Sequence, residues 1–129
     1  MRDGFLFVGA LSEWGELVGF AYGWPTQKGE IWNNRLRKEL GAEAEEWLTD
    51  CFEFVDLAVR ESAHGFGLGR NLMVTLLSHV RERNALLLTH SSSTRASAMY
   101  LRYGWRILRD SFCVESQTTL AIMVKNLSD

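Results

Sequence analysis

The stretch ESAHGFGLGRNLM, residues 61–73, places Gly65, Gly67 and Gly69 at alternating positions between an apolar run and a segment of helical period. Upstream, CFEFVDLAVRES reads as a strand. Simple alternation puts Phe52, Phe54, Asp56 and Ala58 on one face and Glu53, Val55, Leu57 and Val59 on the other. Both faces are mostly apolar, so the strand belongs at the centre of a sheet. Downstream, Leu72, Met73, Leu76, Leu77 and Val80 form an apolar stripe over residues 68–83, leaving Arg70, Asn71, Ser78, Arg81 and Glu82 to solvent. Glycine loses more backbone entropy on folding than other residues, so such a cluster marks a sharp turn or a close approach to the backbone. The first N–H groups of a helix have no intrahelical acceptor, and with the helix dipole they form an anion site. His64 and Arg70 can add donors, Arg70 as a permanent cation. A plain strand-to-helix turn is the competing reading of an isolated Gly-x-Gly. Two nucleotide motifs do not fit. Gly69 is followed by Arg70 and Asn71 instead of the Lys-Ser/Thr of a P-loop, and the spacing is not Gly-x-Gly-x-x-Gly.

The rest of the chain reads as alternating strands and helices. GFLFVGALSEWGELVGFAYGW is a hairpin with Gly15 near its turn. Pro25 and Gly29 close it, and NNRLRKELGAEAEEWL carries Leu36, Leu40, Ala44, Trp47 and Leu48 at helical spacing. Asn33 or Asn34 is the expected cap, and Gly41 the expected break. ALLLTH is a second buried strand, STRASAMYLRYG a short helix ended by Gly104, and WRILRDS and TTLAIMVKNL two further strands. The order predicts a mixed α/β fold, a central mixed sheet of about six strands flanked by helices.

A chain of 129 residues with 47% hydrophobic content suits a single domain, residues 1–129. Its formal charge of −2 favours neither nucleic acid nor an anionic membrane as partner. Cys51 and Cys113 lack C-x-x-C spacing and a histidine at ligand spacing, so neither a disulfide framework nor a metal site is expected. Both read as buried thiols in a reducing cytoplasm. MRDGFLFVGA has too short an apolar run for a signal peptide, and no segment is long enough to span a bilayer.

The run VDLAVRESAHGFGLGRNLM, followed by SSTRASAMYLRYGW, resembles the GNAT superfamily of acyl-CoA-dependent N-acyltransferases. The family's Gln/Arg-x-x-Gly-x-Gly/Ala signature is matched by His64, Gly67 and Gly69. Its Asn-x-x-Ala-x-x-x-Tyr-x-x-x-Gly-Phe helix is matched by Ser93, Ala96, Tyr100, Gly104 and Trp105. His64 stands where Gln or Arg is usual, and Ser93 where Asn is usual. Members usually begin with a strand and one or two helices that this sequence lacks ahead of its hairpin; the expectation is either a shortened version of the family or a wall supplied by the segment 33–48 or by a second subunit.

The resemblance implies acetyl-CoA in a splayed cleft between two parallel strands, residues 52–59 and 85–90. Backbone groups of Leu57, Ala58 and Val59 would pair with the pantetheine. The pyrophosphate would lie on the turn formed by Gly65, Phe66, Gly67, Leu68, Gly69 and Arg70, with His64, Ser93, Ala96 and Tyr100 completing the site. The implied reaction is acetyl transfer to a primary amine. An amine with a reference pKa of about 10.4 is protonated at neutral pH and needs a base. Glu53 is the first candidate and Asp56 the second, with an ordinary hydrogen-bonded carboxylate the alternative for each. An N–H near Leu57 or Val59 would polarise the thioester. Tyr100 would donate to the departing thiolate, although a phenol near 10 is a weaker acid than a thiol near about 8.5. His79 reads as inert and His90 as a possible aid to proton movement. The tryptophans read mainly as core or pocket wall, with Trp24 and Trp32 nearest an acceptor pocket. A homodimer is expected, through an exposed edge of the C-terminal strand. The alternative function is a CoA-binding sensor or interaction module without catalysis.

Overall fold

The structure is a computed structural model that describes residues 3–115 and 118–128. Two strands, β1 (Leu6–Leu11) and β2 (Leu17–Pro25), form the expected hairpin. Helices α1 (Ile31–Leu40) and α2 (Glu43–Leu48) lead into β3 (Cys51–Val59). A single 3-10 turn, Glu61–Ala63, precedes α3 (Leu68–Leu77), β4 (Asn84–His90) and α4 (Thr94–Arg102). The chain then folds back as β5 (Arg106–Glu115) and β6 (Thr118–Asn126). The six strands form one mixed sheet in the order β1-β2-β3-β4-β6-β5, with β3 and β4 the parallel pair.

Apolar side chains divide between the two faces of this sheet. Leu72, Met73 and Leu76 of α3 join Ala21, Phe52, Phe54, Ala85, Leu87, Tyr100 and Trp105 on one face. Leu36, Leu40, Ala44, Trp47 and Leu48 of α1 and α2 cover Cys51, Leu86, Ile122 and Val124 on the other. Arginines tie this second layer to β5. Arg35 donates to the Val114 carbonyl at 2.8 Å, and Arg109 bridges Glu43 at 2.7 Å and Glu39 at 3.5 Å. Partly exposed pairs of this kind contribute modestly, up to about 1 kcal/mol each.

Several local expectations are corrected. Helix α1 begins at Ile31, after Glu30, and Asn33 is inside it and fully buried. Asn33 Nδ2 donates to Thr26 Oγ1 at 3.0 Å, while its Oδ1 accepts from Arg37 Nε at 2.7 Å, so it serves the core and not the cap. Gly41 does divide the helices, at φ 60°. Helix α3 stops at Leu77, because Ser78 Oγ donates to the Thr75 carbonyl at 2.6 Å and the His79 ring lies 2.9 Å from that same oxygen. His79 therefore sits in a turn beyond the helix. Strand β6 lies between β4 and β5, so it has no free edge for a dimer; the sheet's edges are β1 and β5. Trp14 is 79% exposed at the hairpin tip and is not core.

One of the two cysteines also differs from expectation: Cys51 is buried as expected, but Cys113 is exposed. Burial, followed by the nearby carboxylates of Glu53, Glu82 and Asp50, pushes the Cys51 thiol far up, away from the reactive thiolate form. A thiol reagent should label one cysteine, Cys113, in the folded protein and both after denaturation, as read by mass spectrometry of the intact chain and its peptides. Rapid native labelling of Cys51 would contradict this packing.

Candidate active site

The parallel pairing of β3 with β4 covers only three residue pairs, Cys51 with Asn84, Phe52 with Ala85 and Glu53 with Leu86. Beyond Glu53 the strands part, and β4 continues alone against β6. The expected splay is thus present, beginning one residue after the candidate base. A cleft of about 900 Å³ opens there, lined by Leu57, Val59, the glycine turn and α4.

A bulge determines which groups face the cleft. Gly23 pairs with Phe54 and Tyr22 with Asp56, which leaves Val55 without a partner in β2. An extra residue on one strand inverts the alternation beyond it. Phe52 and Phe54 belong to the α3-side core, and Leu57 and Val59 pack against the same cluster. Asp56 therefore shares a face with Tyr22 and, through Trp24, with Glu53, opposite to the placement that simple alternation predicts. The two candidate bases lie on one side of the sheet.

The same shift aims the backbone. The Arg60 amide donates to the Val18 carbonyl at 2.8 Å, so Arg60 and Ala58 turn their polar groups to β2, whereas Leu57 and Val59 turn theirs to the gap. Of the three residues expected to pair with a ligand, Ala58 is thus turned away. The other two have partners within the chain. The Leu57 amide donates to Asp56 Oδ1 at 2.8 Å, and His64 Nε2 lies 2.8 Å from the Val59 carbonyl, which requires that nitrogen to carry the proton.

At the far end of the cleft, Gly65 and Gly67 have φ values of 88° and 74°, the left-handed region that disfavours a side chain. Gly67 is the N-cap of α3, and the first intrahelical bond runs from the Asn71 amide to the Gly67 carbonyl at 3.0 Å. The amides of Leu68, Gly69 and Arg70 are left without helical acceptors. Gly69 differs from the other two. It lies within the first turn of α3, and a Cβ there would meet Met99 Sδ at an ordinary 3.7 Å, so neither backbone strain nor a clash requires glycine. Phe66, 75% exposed, does not line the cleft.

Helix α4 forms the opposite wall with Ser93, Ala96 and Tyr100. It also brings Arg95 and Arg102, which sequence reading missed although they lie seven residues apart on one helical face. Arg70 spans the two helices, its guanidinium 5.4 Å from the Tyr103 ring centre. One end of the cleft is therefore cationic. Tyr100 is buried edge-on against Phe54 and Trp105, with ring centres 6.4 and 5.9 Å away. Burial, and secondarily the Asp56 carboxylate, pushes its phenol up to about 12. Glu53 is half-buried on the other face and His90 is exposed at the end of β4. Trp24 joins a row of aromatic rings, whereas Trp32 lies under Arg35, 4.8 Å from its guanidinium.

The family profile described as acetyltransferase (GNAT) family matches residues 1–105, most of the chain. The chain belongs to the GNAT acetyltransferase family. Solved structures with the same fold include a nourseothricin acetyltransferase, at 17% identity and TM-score 0.69 over 97% of this family member and 66% of that chain. The Naa20 protein of Chaetomium thermophilum, in complex with a bisubstrate analogue, matches at 17% identity and TM-score 0.71, over 93% and 65%. The PaiA N-acetyltransferase of Thermoplasma acidophilum, in complex with coenzyme A, matches at 15% and 0.65, over 95% and 61%. This GNAT chain thus spans slightly less than two thirds of the length of each. No curated protein matches it by sequence. Among the described residues, no helix is long and apolar enough to cross a membrane, and no group of three or more His, Cys, Asp or Glu is placed to hold a metal ion.

Proposed function

We propose that this GNAT chain transfers an acetyl group from acetyl-CoA to a primary amine. The observation that carries the reading is the parting of β3 and β4 at Glu53, where the gap-facing groups of Leu57 and Val59 lead into the glycine turn and the free amides of α3. The fit is chemical as well as spatial: open space over Gly65 and Gly67 admits a pyrophosphate, and Arg70, Arg95 and Arg102 supply cations around it. A pantetheine arm pairing along this strand would take over the Val59 carbonyl now held by His64, and the thioester carbonyl would take the Leu57 amide now held by Asp56.

In the reaction, the amine nitrogen attacks the thioester carbonyl carbon, a C–N bond forms, and the C–S bond breaks. Glu53 takes the proton of the attacking amine and Asp56 is the second candidate, both on the face away from α3. The Leu57 amide, once released by Asp56, donates to the carbonyl oxygen as negative charge develops. Tyr100 donates to the departing sulfur. The same reading makes residues 1–129 one domain, acting in the cytoplasm. A homodimer built by strand pairing would use β1 or β5, and light scattering that finds only monomer removes that part of the proposal.

Thermal unfolding with and without acetyl-CoA tests the proposal. At about a hundred times its dissociation constant, the ligand should add roughly 2.7 kcal/mol, a shift of several degrees in Tm. Adenosine should give no shift and dephospho-CoA a smaller one, since Arg95 and Arg102 add charge beyond what a pyrophosphate needs. An unchanged Tm with acetyl-CoA would overturn the reading.

A further inference from the structure

On the face of the sheet away from α3, five aromatic rings form a continuous row. Phe7 and Phe20 have centres 6.0 Å apart, Phe20 and Tyr22 6.1 Å, Tyr22 and Trp24 5.9 Å, and Phe5 lies 6.3 Å from Trp24. The helices α1 and α2 build their core over β4, β6 and the start of β3, to the side of this row. Phe7 is 52% exposed, and Phe20, Tyr22 and Trp24 are half-buried. The register of β2 on β3 sets two carboxylates beside the rings, Asp56 opposite Tyr22 and Glu53 opposite Trp24. Ala58, opposite Phe20, leaves a small side chain where the row continues.

This arrangement is the reverse of the other end of the site. The cleft between α3 and α4 presents arginines, whereas the ring row presents π-faces and carboxylates at the point where β3 leaves β4. We infer that the row Phe20, Tyr22 and Trp24, with Asp56, binds an acceptor that carries a second cationic centre in addition to the amine that reacts: a diamine, a polyamine or a guanidino-amine. The inference rests on the acetyltransferase reading for what happens to the amine, but not for its binding. The reasoning is one of charge. The reacting amine must be neutral when it attacks, so a simple monoamine brings no charge to the rings in its reactive form. A second ammonium or guanidinium stays protonated at neutral pH, and it is attracted both by an aromatic face and by the Asp56 carboxylate. Glu53, at the gap end of the row, is then placed at the amine that reacts.

The test compares diaminobutane and spermidine with butylamine, a monoamine of matched chain length. Calorimetric binding to the protein alone measures the acceptor site, and release of free CoA thiol from acetyl-CoA measures transfer. Diaminobutane should bind more tightly than butylamine and have a higher kcat/KM. Tyr22→Leu should reduce that preference by about 3- to 30-fold, the range that a cation on an aromatic face contributes. Phe20→Leu provides a second, milder variant should Tyr22→Leu fold poorly, and a retained cooperative thermal unfolding transition confirms that each variant is folded. Equal binding of the diamine and the monoamine, or an unchanged preference in both variants, overturns the inference. If acetyl-CoA stabilises the protein and the amines do not discriminate, the acceptor inference fails while the acetyltransferase reading stands. If the diamine binds preferentially and acetyl-CoA gives no shift, the reverse holds.

Discussion

Tyr100→Phe should lower kcat for acetyl transfer by about a hundred-fold or more, the lower end of what a positioned proton donor contributes, with little change in the dissociation constant of acetyl-CoA. The hydroxyl is the only group removed, and the ring that packs on Phe54 and Trp105 stays. Because burial, and then Asp56, raise the phenol to about 12, it is fully protonated at any working pH, and the role proposed for it is a hydrogen bond to the developing thiolate. Proton transfer from such a phenol to a thiolate of about 8.5 is uphill, so the kcat profile should show no alkaline limb from Tyr100 below pH about 10. The shift also acts on stability. A phenol that holds its proton more tightly when folded stabilises the protein fully below its unfolded value of 10, and this contribution is lost as pH rises towards about 12. Urea unfolding at a series of alkaline pH values should show that loss in the parent and a shallower one in Tyr100→Phe. Unchanged kcat in the variant would assign Tyr100 to packing alone.

Gly23→Ala should destabilise the protein by about 3 kcal/mol, lowering Tm on the order of ten degrees. Gly23 pairs with Phe54 at the bulge, where a Cβ would run into the Glu53 carbonyl oxygen and the Phe52 ring. Neither obstacle is the loose end of a flexible chain: one is backbone of the central strand, the other a fully buried ring. Relief requires β2 to move away from β3 at the point that directs Leu57 to the gap. Acetyl-CoA affinity should therefore fall with stability, in contrast to Gly15→Ala, where a Cβ meets nothing within 4 Å and only the strain of a φ of 82° remains. Denaturant unfolding of both variants checks this. An equal cost in the two would mean that the bulge accommodates a side chain.

The periodicity of α3, the alternating strands and the glycine turn were legible because each depends on neighbours within a few residues. The residues matched to the family landmark, Ser93 at the N-cap of α4 and Ala96 and Tyr100 within it, do line the cleft, and the splay of β3 from β4 is present. Legibility failed where a side chain answers to a distant partner. Asn33 has the composition of a cap, yet its amide is held by Thr26 and Arg37 inside the core. Ser78 and His79 stop a helix whose apolar stripe continues to Val80.

What the amino-acid sequence determined alone was the fold class, the strand-turn-helix unit and the pair of landmarks that mark this family, because local propensity and spacing encode them. The tertiary structure decided which face each carboxylate serves. A single unpaired residue, Val55, inverts the alternation of β3, bringing Asp56 to the side of Glu53 and turning Leu57 and Val59 into the gap. That inversion is a property of the pairing between two strands. It depends on the close approach that Gly23 allows across to Phe52 and Glu53, and neither strand encodes it by itself.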